Sequence, residues 1–267
     1  METKIHTLKF TYPQEQSRTV RVYVPAHEEG ETLPVVYMTD GQNLFEAETT
    51  RFGSWLTYKA VEDEQEKNGR SAIIVGIHND TGPIERTREL TPKSIGRLFF
   101  PPDMPEQERL AFMPLGESFD RFVINTVMPK ITSDFPVKTG KENTAFCGSS
   151  SGGLQTFFTA LSHPDIFSAA GVFSPCFMMY YPDDLKKWIQ QSVKDDMPYL
   201  YIYSGGTGML ESIICQSTES TWKTLEEYYP AEKMKKVIVP ENDHNEAAWA
   251  DIFKDFLHIF LSNNYTK

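Results

Sequence analysis

Residues 143–158, NTAFCGSSSGGLQTFF, constrain this chain more than any other stretch. A short apolar run ends in a cluster of small residues, and a helical pattern follows at once. A strand that turns straight into a helix brings the two backbones close together. The residues two before and two after the apex must therefore be small. The pattern G-x-S-x-G matches residues 148–152. With Ser150 at the apex, Gly148 and Gly152 occupy the crowded positions. An apex at Ser149 would need glycines at Cys147 and Ser151. An apex at Ser151 would put Ser149 and Gly153 there, a weaker fit. A sharp turn of this kind lifts its central side chain above the end of the sheet, where a nucleophile belongs. The alternative reading is a Gly/Ser turn whose hydroxyls cap the helix.

The remainder of the chain sets the context for that turn. KIHTLKFTY and RTVRVYVP alternate apolar and polar residues, as half-buried antiparallel strands do. LPVVYMTDG and SAIIVGIHND are continuous apolar runs closed by turn residues, which suits strands buried on both faces of a mostly parallel sheet. GSWLTYKAVEDEQEKNG between them has helical spacing and a glycine just past its end. Further strands are expected at SAAGVFSP, PYLYIYSGG and KKVIVPE. Helices are expected over residues 118–131, in SGGLQTFFTALSHP, in STWKTLEEYY and in NEAAWADIFKDFLHIFLS. The alternation predicts an α/β fold with a mostly parallel central sheet and helices on both faces. No repeat or linker divides it, so residues 1–267 read as one domain. Residues 92–118, rich in proline and large apolar side chains, read as an ordered loop that shapes a pocket.

Charge and cysteine usage narrow the function. The 267 residues carry a formal net charge of −11. That excludes the basic patch that nucleic acid requires and disfavours anionic membrane surfaces. Three cysteines, Cys147, Cys176 and Cys215, without a CxxC pair suggest neither a disulfide framework nor a zinc site. METKIHTLKF lacks the apolar run of a signal peptide, so a cytoplasmic protein is expected. A homo-oligomer is compatible with the sequence.

A nucleophilic serine needs a base. His6 and His27 read as surface residues, His163 as a helix end before Pro164, and His258 as part of the last helix. His78 follows a buried strand and is placed to edge a pocket. His244, in PENDHNEAAW, lies after the last strand and before the last helix, where the base belongs in the order serine, acid, histidine. The acid should follow YLYIYSGG. Glu211 is the first carboxylate there and Glu219 the reserve, while Asp243 is too close in sequence to face its neighbour's ring. The oxyanion hole calls for backbone N–H groups. Ser151, at the helix start, supplies one. Gln42, after the strand that ends in Asp40-Gly41, supplies the other. Trp55, Phe100 and Tyr180 are candidate substrate-binding residues, with ordinary core packing as the alternative.

PVVYMTDGQNLF, IIVGIHND with the following RELTP, GSSSGGL, FSPCF and DHNEAAW together resemble the Putative esterase family of α/β hydrolases. The resemblance runs from about Arg18 to Leu261. It implies an α/β-hydrolase fold and a serine carboxylesterase acting through an acyl-enzyme on a small-molecule ester, with no metal or organic cofactor. It places Ser150 as nucleophile, His244 as base, and Gln42 and Ser151 at the oxyanion amides. Two positions depart from the family pattern. Ser151 stands where Met is frequent, and Met209-Leu210 separate the glycine-threonine pair from Glu211, so Glu211, Glu219 and a Ser-His dyad all stay open. An acyltransferase, or a silent binding protein on the same fold, is the alternative function.

Overall fold

The computed structural model describes residues 1–12, 16–46 and 53–262. Of the span 1–267 read as one domain, residues 13–15, 47–52 and 263–267 thus lie outside the described residues.

One sheet carries the strands β1 (Lys4–Tyr12), β2 (Gln16–Val24), β3 (Val35–Met38), β4 (Ile73–Ile77), β5 (Thr144–Ser149), β6 (Ala169–Phe173), β7 (Tyr199–Gly205) and β8 (Met234–Val239). Their spatial order is β1-β2-β4-β3-β5-β6-β7-β8. β1 pairs antiparallel with β2, and β2 with β4. From β4 onward every pairing is parallel. The alternating exposure of β1 is that of an edge strand, whereas β3, β4 and β5 are buried throughout.

Because side chains alternate across a strand, neighbours enter different cores. Val36 and Met38 pack with Ala60 and Val61 of α1 (Thr57–Asn68) and with Phe253 and Phe256 of α9 (Glu246–Ser262). Val35 and Tyr37 pack on the opposite face. Their neighbours there are Phe119 of α4 (Gly116–Phe122), Val123 and Val127 of the π turn (Val123–Val127), and Ile131 of α5 (Met128–Asp134). Farther along that face, Val172 and Ile202 meet α6 (Ser151–Ser162), α7 (Pro182–Ser192) and α8 (Met209–Tyr228). Helices therefore cover both faces, as the sequence predicts.

Some elements differ from the sequence reading. Two further helices form, α2 (Pro83–Glu89) and α7, each opened by a proline in its first turn. Residues 92–118 are not wholly loop. They contain α3 (Glu106–Ala111), and α4 starts at Gly116. α8 begins at Met209, well before STWKTLEEYY, so Glu211 lies in a first helical turn rather than in a loop.

Candidate active site

The apex of the turn is Ser150, at φ 61° and ψ −125°. Only strong surrounding packing holds a non-glycine residue there, at a cost of about 1–3 kcal/mol. Ser151 is already the first residue of α6. The flanking glycines are required because Thr39, at the end of β3, fills the space beside them. A Cβ on Gly148 would lie 2.4 Å from Thr39 Oγ1, and one on Gly152 would lie 2.2 Å from it. The turn is pinned by its backbone: Ser150 N–H donates to the Phe173 carbonyl at 2.9 Å, and the Ser150 carbonyl accepts from Cys176 N–H at 3.3 Å. Asp40 and Ser174, at the ends of β3 and β6, also have positive φ. Backbone strain thus gathers at one end of the sheet, as it does at functional sites.

Behind Ser150 lies a dense polar network. Glu211 is fully buried. Its Oε2 is 2.6 Å from His244 Nδ1. Its Oε1 accepts from Ser174 Oγ at 2.7 Å, Ser204 Oγ at 2.9 Å and Gly205 N–H at 2.6 Å. Burial pushes the Glu211 carboxyl up, but the hydrogen bonds from His244, Ser174 and Gly205 outweigh it and hold the group below the ordinary carboxylate range. Trp249 sets the imidazole from the side. Its ring meets His244 edge-on at 4.9 Å, and its Nε1 donates to Ser174 Oγ at 2.9 Å. With Nδ1 donating to Glu211, the other ring nitrogen is left as a base. Ser150 Oγ contacts Cys176 Sγ at 3.5 Å and, among the described residues, makes no hydrogen bond to His244. Burial raises the Cys176 pKa, which keeps it a thiol.

The reserve acid Glu219 and the discounted Asp243 have other partners. Glu219 is two turns farther along α8 and pairs with Lys236 at 2.7 Å. Asp243 accepts from the His244 backbone N–H at 2.7 Å. The side chains of four of the remaining histidines also have other partners. His163 Nε2 is 2.8 Å from Asp120, His258 is 3.1 Å from Glu64, and His6 packs edge-on against Phe135. His27 Nδ1 is 2.8 Å from the Pro25 carbonyl. Burial first, and then Arg21, lowers the His78 pKa to about 4.

The turn after β3 forms a 3-10 segment, Gly41–Asn43, that holds Gln42. Asp40 anchors it. Its carboxylate takes a two-pronged pair from Arg86 of α2 at 2.6 and 2.7 Å, and its N–H donates to Asn79 Oδ1 at 2.8 Å. Arg86 also reaches the Ser149 carbonyl at 3.4 Å. Arg86, Asn79, Ser174, Cys176 and Trp249 escaped the sequence reading. No spacing rule ties them to the serine, although IIVGIHND, FSPCF and DHNEAAW contain four of them and RELTP begins two residues after Arg86.

Two candidate substrate residues turn out to be core. Trp55 is 3% exposed and packs on Phe173, Trp249 and Phe253. Tyr180 is 2% exposed, and its hydroxyl donates to the Pro92 carbonyl. Both are rings whose large apolar area is best buried. Phe100 is half-buried and meets Phe112 edge-on at 5.7 Å.

The sequence matches the Putative esterase family over residues 13–257. No curated protein matches it. Among solved structures, an IroE-like serine hydrolase from Shewanella oneidensis aligns with TM-score 0.72 and 17% identity, over 98% of this chain and 79% of that one. The enterobactin esterase from Shigella flexneri aligns with TM-score 0.73 and 15% identity, over 97% of this chain and 60% of that one. A ferulic acid esterase aligns with TM-score 0.65 and 14% identity, over 98% of this chain and 99% of that one. At these identities the structures are alike in fold, and the sequence match carries the membership. With 13–257 spanning most of its length, the chain belongs to the Putative esterase family.

Proposed function

We propose that the protein hydrolyses carboxylic esters through an acyl-enzyme, with Ser150 as nucleophile, His244 as base and Glu211 as acid. The observation that carries this reading is the pairing of a strained Ser150 apex with a His244–Glu211 contact of 2.6 Å at the same end of the sheet. Ser150 Oγ attacks the ester carbonyl while His244 takes its proton. Glu211 keeps the imidazole in the correct tautomer and stabilises the imidazolium. The amides of Gln42 and Ser151 receive the developing oxyanion. His244 then returns the proton to the departing alcohol, and water repeats the sequence to free the acid.

For the substrate we propose an ester that contacts an exposed apolar rim. Phe99, Leu110, Met113 and Tyr181 are large apolar residues left exposed. The segment 97–113 is fixed at several places, among them the Arg97 pair with Asp184 and the Phe99 N–H donating to the Met179 carbonyl at 2.8 Å. Leu98 bridges to Tyr180, just beyond Cys176, and the Met113 carbonyl accepts from Arg88 of α2. A small-molecule ester with a bulky apolar or aromatic part fits such a rim. Assaying an ester panel with wild type and Ser150→Ala tests the reading. Turnover of aryl and long acyl esters that vanishes in the variant supports it. Equal turnover by both proteins refutes it.

A further inference from the structure

The oxyanion turn and the base come from opposite ends of the chain, yet one hydrogen bond joins them. Asn43 Nδ2 donates to Glu246 Oε1 at 2.9 Å across 203 residues. Asn43 directly follows Gln42, and Glu246 lies two residues after His244. Glu246 is a poor choice for stability alone. It is buried, and burial together with the Asp40 carboxylate pushes its pKa above the ordinary range. A second contact runs parallel to the first. The Asn43 carbonyl accepts from Trp55 N–H at 3.0 Å, Trp55 packs on Trp249 at 5.8 Å, and Trp249 meets His244.

We propose that the Asn43–Glu246 hydrogen bond is a latch that sets the oxyanion turn and the His244 loop at one fixed separation. Both are positioning residues; neither touches reacting atoms. The inference rests on the roles given above to Gln42 and His244. It extends them by coupling two groups that must act on the same tetrahedral centre, one on its oxygen and one on its proton. It also gives buried Trp55 a role other than lining a pocket.

An exchange of the two polar groups tests the latch without changing volume or net charge. Asn43→Asp alone sets two carboxylates face to face. Glu246→Gln alone keeps an amide oxygen for Asn43. The double variant Asn43→Asp/Glu246→Gln restores the bond with its direction reversed. The readouts are kcat and KM on an aryl ester, the rate of Ser150 labelling by a fluorophosphonate, and the melting temperature. Asn43→Asp should lower kcat by about 10- to 100-fold with KM within about two-fold of wild type. Glu246→Gln should stay close to wild type, and the double variant should recover to within about three-fold of it. Wild-type kcat in Asn43→Asp, or a double variant as slow as that single one, would overturn the latch. So would a loss explained entirely by unfolding at the assay temperature. A wild-type protein that neither labels at Ser150 nor hydrolyses any ester overturns the esterase reading, and the latch with it. In an active wild type, failure of the exchange condemns the latch alone.

Discussion

The two sides of Ser150 are built on opposite principles. Behind it, Glu211 is fully buried and hydrogen-bonded to four groups from three parts of the chain. On the front, the side we propose for the substrate, Phe99, Leu110, Met113 and Tyr181 expose apolar surface on segments held by a bridge, backbone hydrogen bonds and the Arg97–Asp184 pair. The rear has one workable arrangement, because any unpaired member would be a buried polar group without a partner. The front tolerates exchange, because exposed apolar side chains contribute area rather than geometry. Damage to the rear should therefore slow every ester alike, and change at the front should re-rank esters.

The largest effect expected is at the apex. Ser150→Ala should lower turnover by about 10⁴- to 10⁶-fold on every ester, whereas Ser149→Ala and Ser151→Ala should keep most activity. A dead Ser151→Ala beside an active Ser150→Ala would move the apex. Next comes Glu211→Gln, with a loss of roughly 10²- to 10⁴-fold in kcat from the missing imidazolium partner. Glu219→Gln, which removes only the Lys236 pair, should leave kcat unchanged. Equal, small effects of both would reduce the rear to a dyad. The pH profile bears on the same point. Glu211, held below the ordinary range, is already ionised wherever an imidazole titrates. That carboxyl should therefore add no limb of its own to the pH profile of kcat/KM near neutrality.

At the front, Phe99→Ala or Leu110→Ala should shift the ratio of kcat/KM between aryl and acetyl esters by about 10-fold. The melting temperature should barely move, since both side chains are already exposed. Uniform loss on all esters would show that the front is as rigid as the rear. The smallest effect separates stability from chemistry. The hydrogen bond to Asp120 raises the His163 pKa at the far end of α6. A raised folded value contributes stability that is complete below the unfolded imidazole pKa and is lost as pH rises through the folded one. The melting-temperature gap between wild type and His163→Gln should thus narrow on going from about pH 5.5 to about pH 9, with ester ranking untouched.

Legibility in the sequence followed the same division. The strands and the apex could be read because continuous apolar runs and fixed glycine spacing are local signals. Gly148 and Gly152 are dictated by Thr39, far away in sequence, yet their effect is written beside Ser150. The start of α8 was hidden because SGGTGML carries loop-like glycines, and only packing in three dimensions shows Glu211 in a first turn. Trp55 and Tyr180 misled because an aromatic residue near a motif looks alike in sequence whether it faces the core or a ligand. Arg86 was illegible because its partner Asp40 lies 46 residues away, joined to it only by the parallel pairing of β3 with β4.

The backbone of Ser150 carries one more consequence. At φ 61°, alanine meets the same steric penalty as serine, while glycine does not. A serine at this position is therefore not the most durable choice for this fold. If Ser150 is the nucleophile we propose, a chain relieved of selection for turnover would drift at position 150 toward glycine, gaining roughly 1 kcal/mol while losing that hydroxyl. Among relatives of the same shape, a glycine at this apex would mark a scaffold that has exchanged catalysis for resilience.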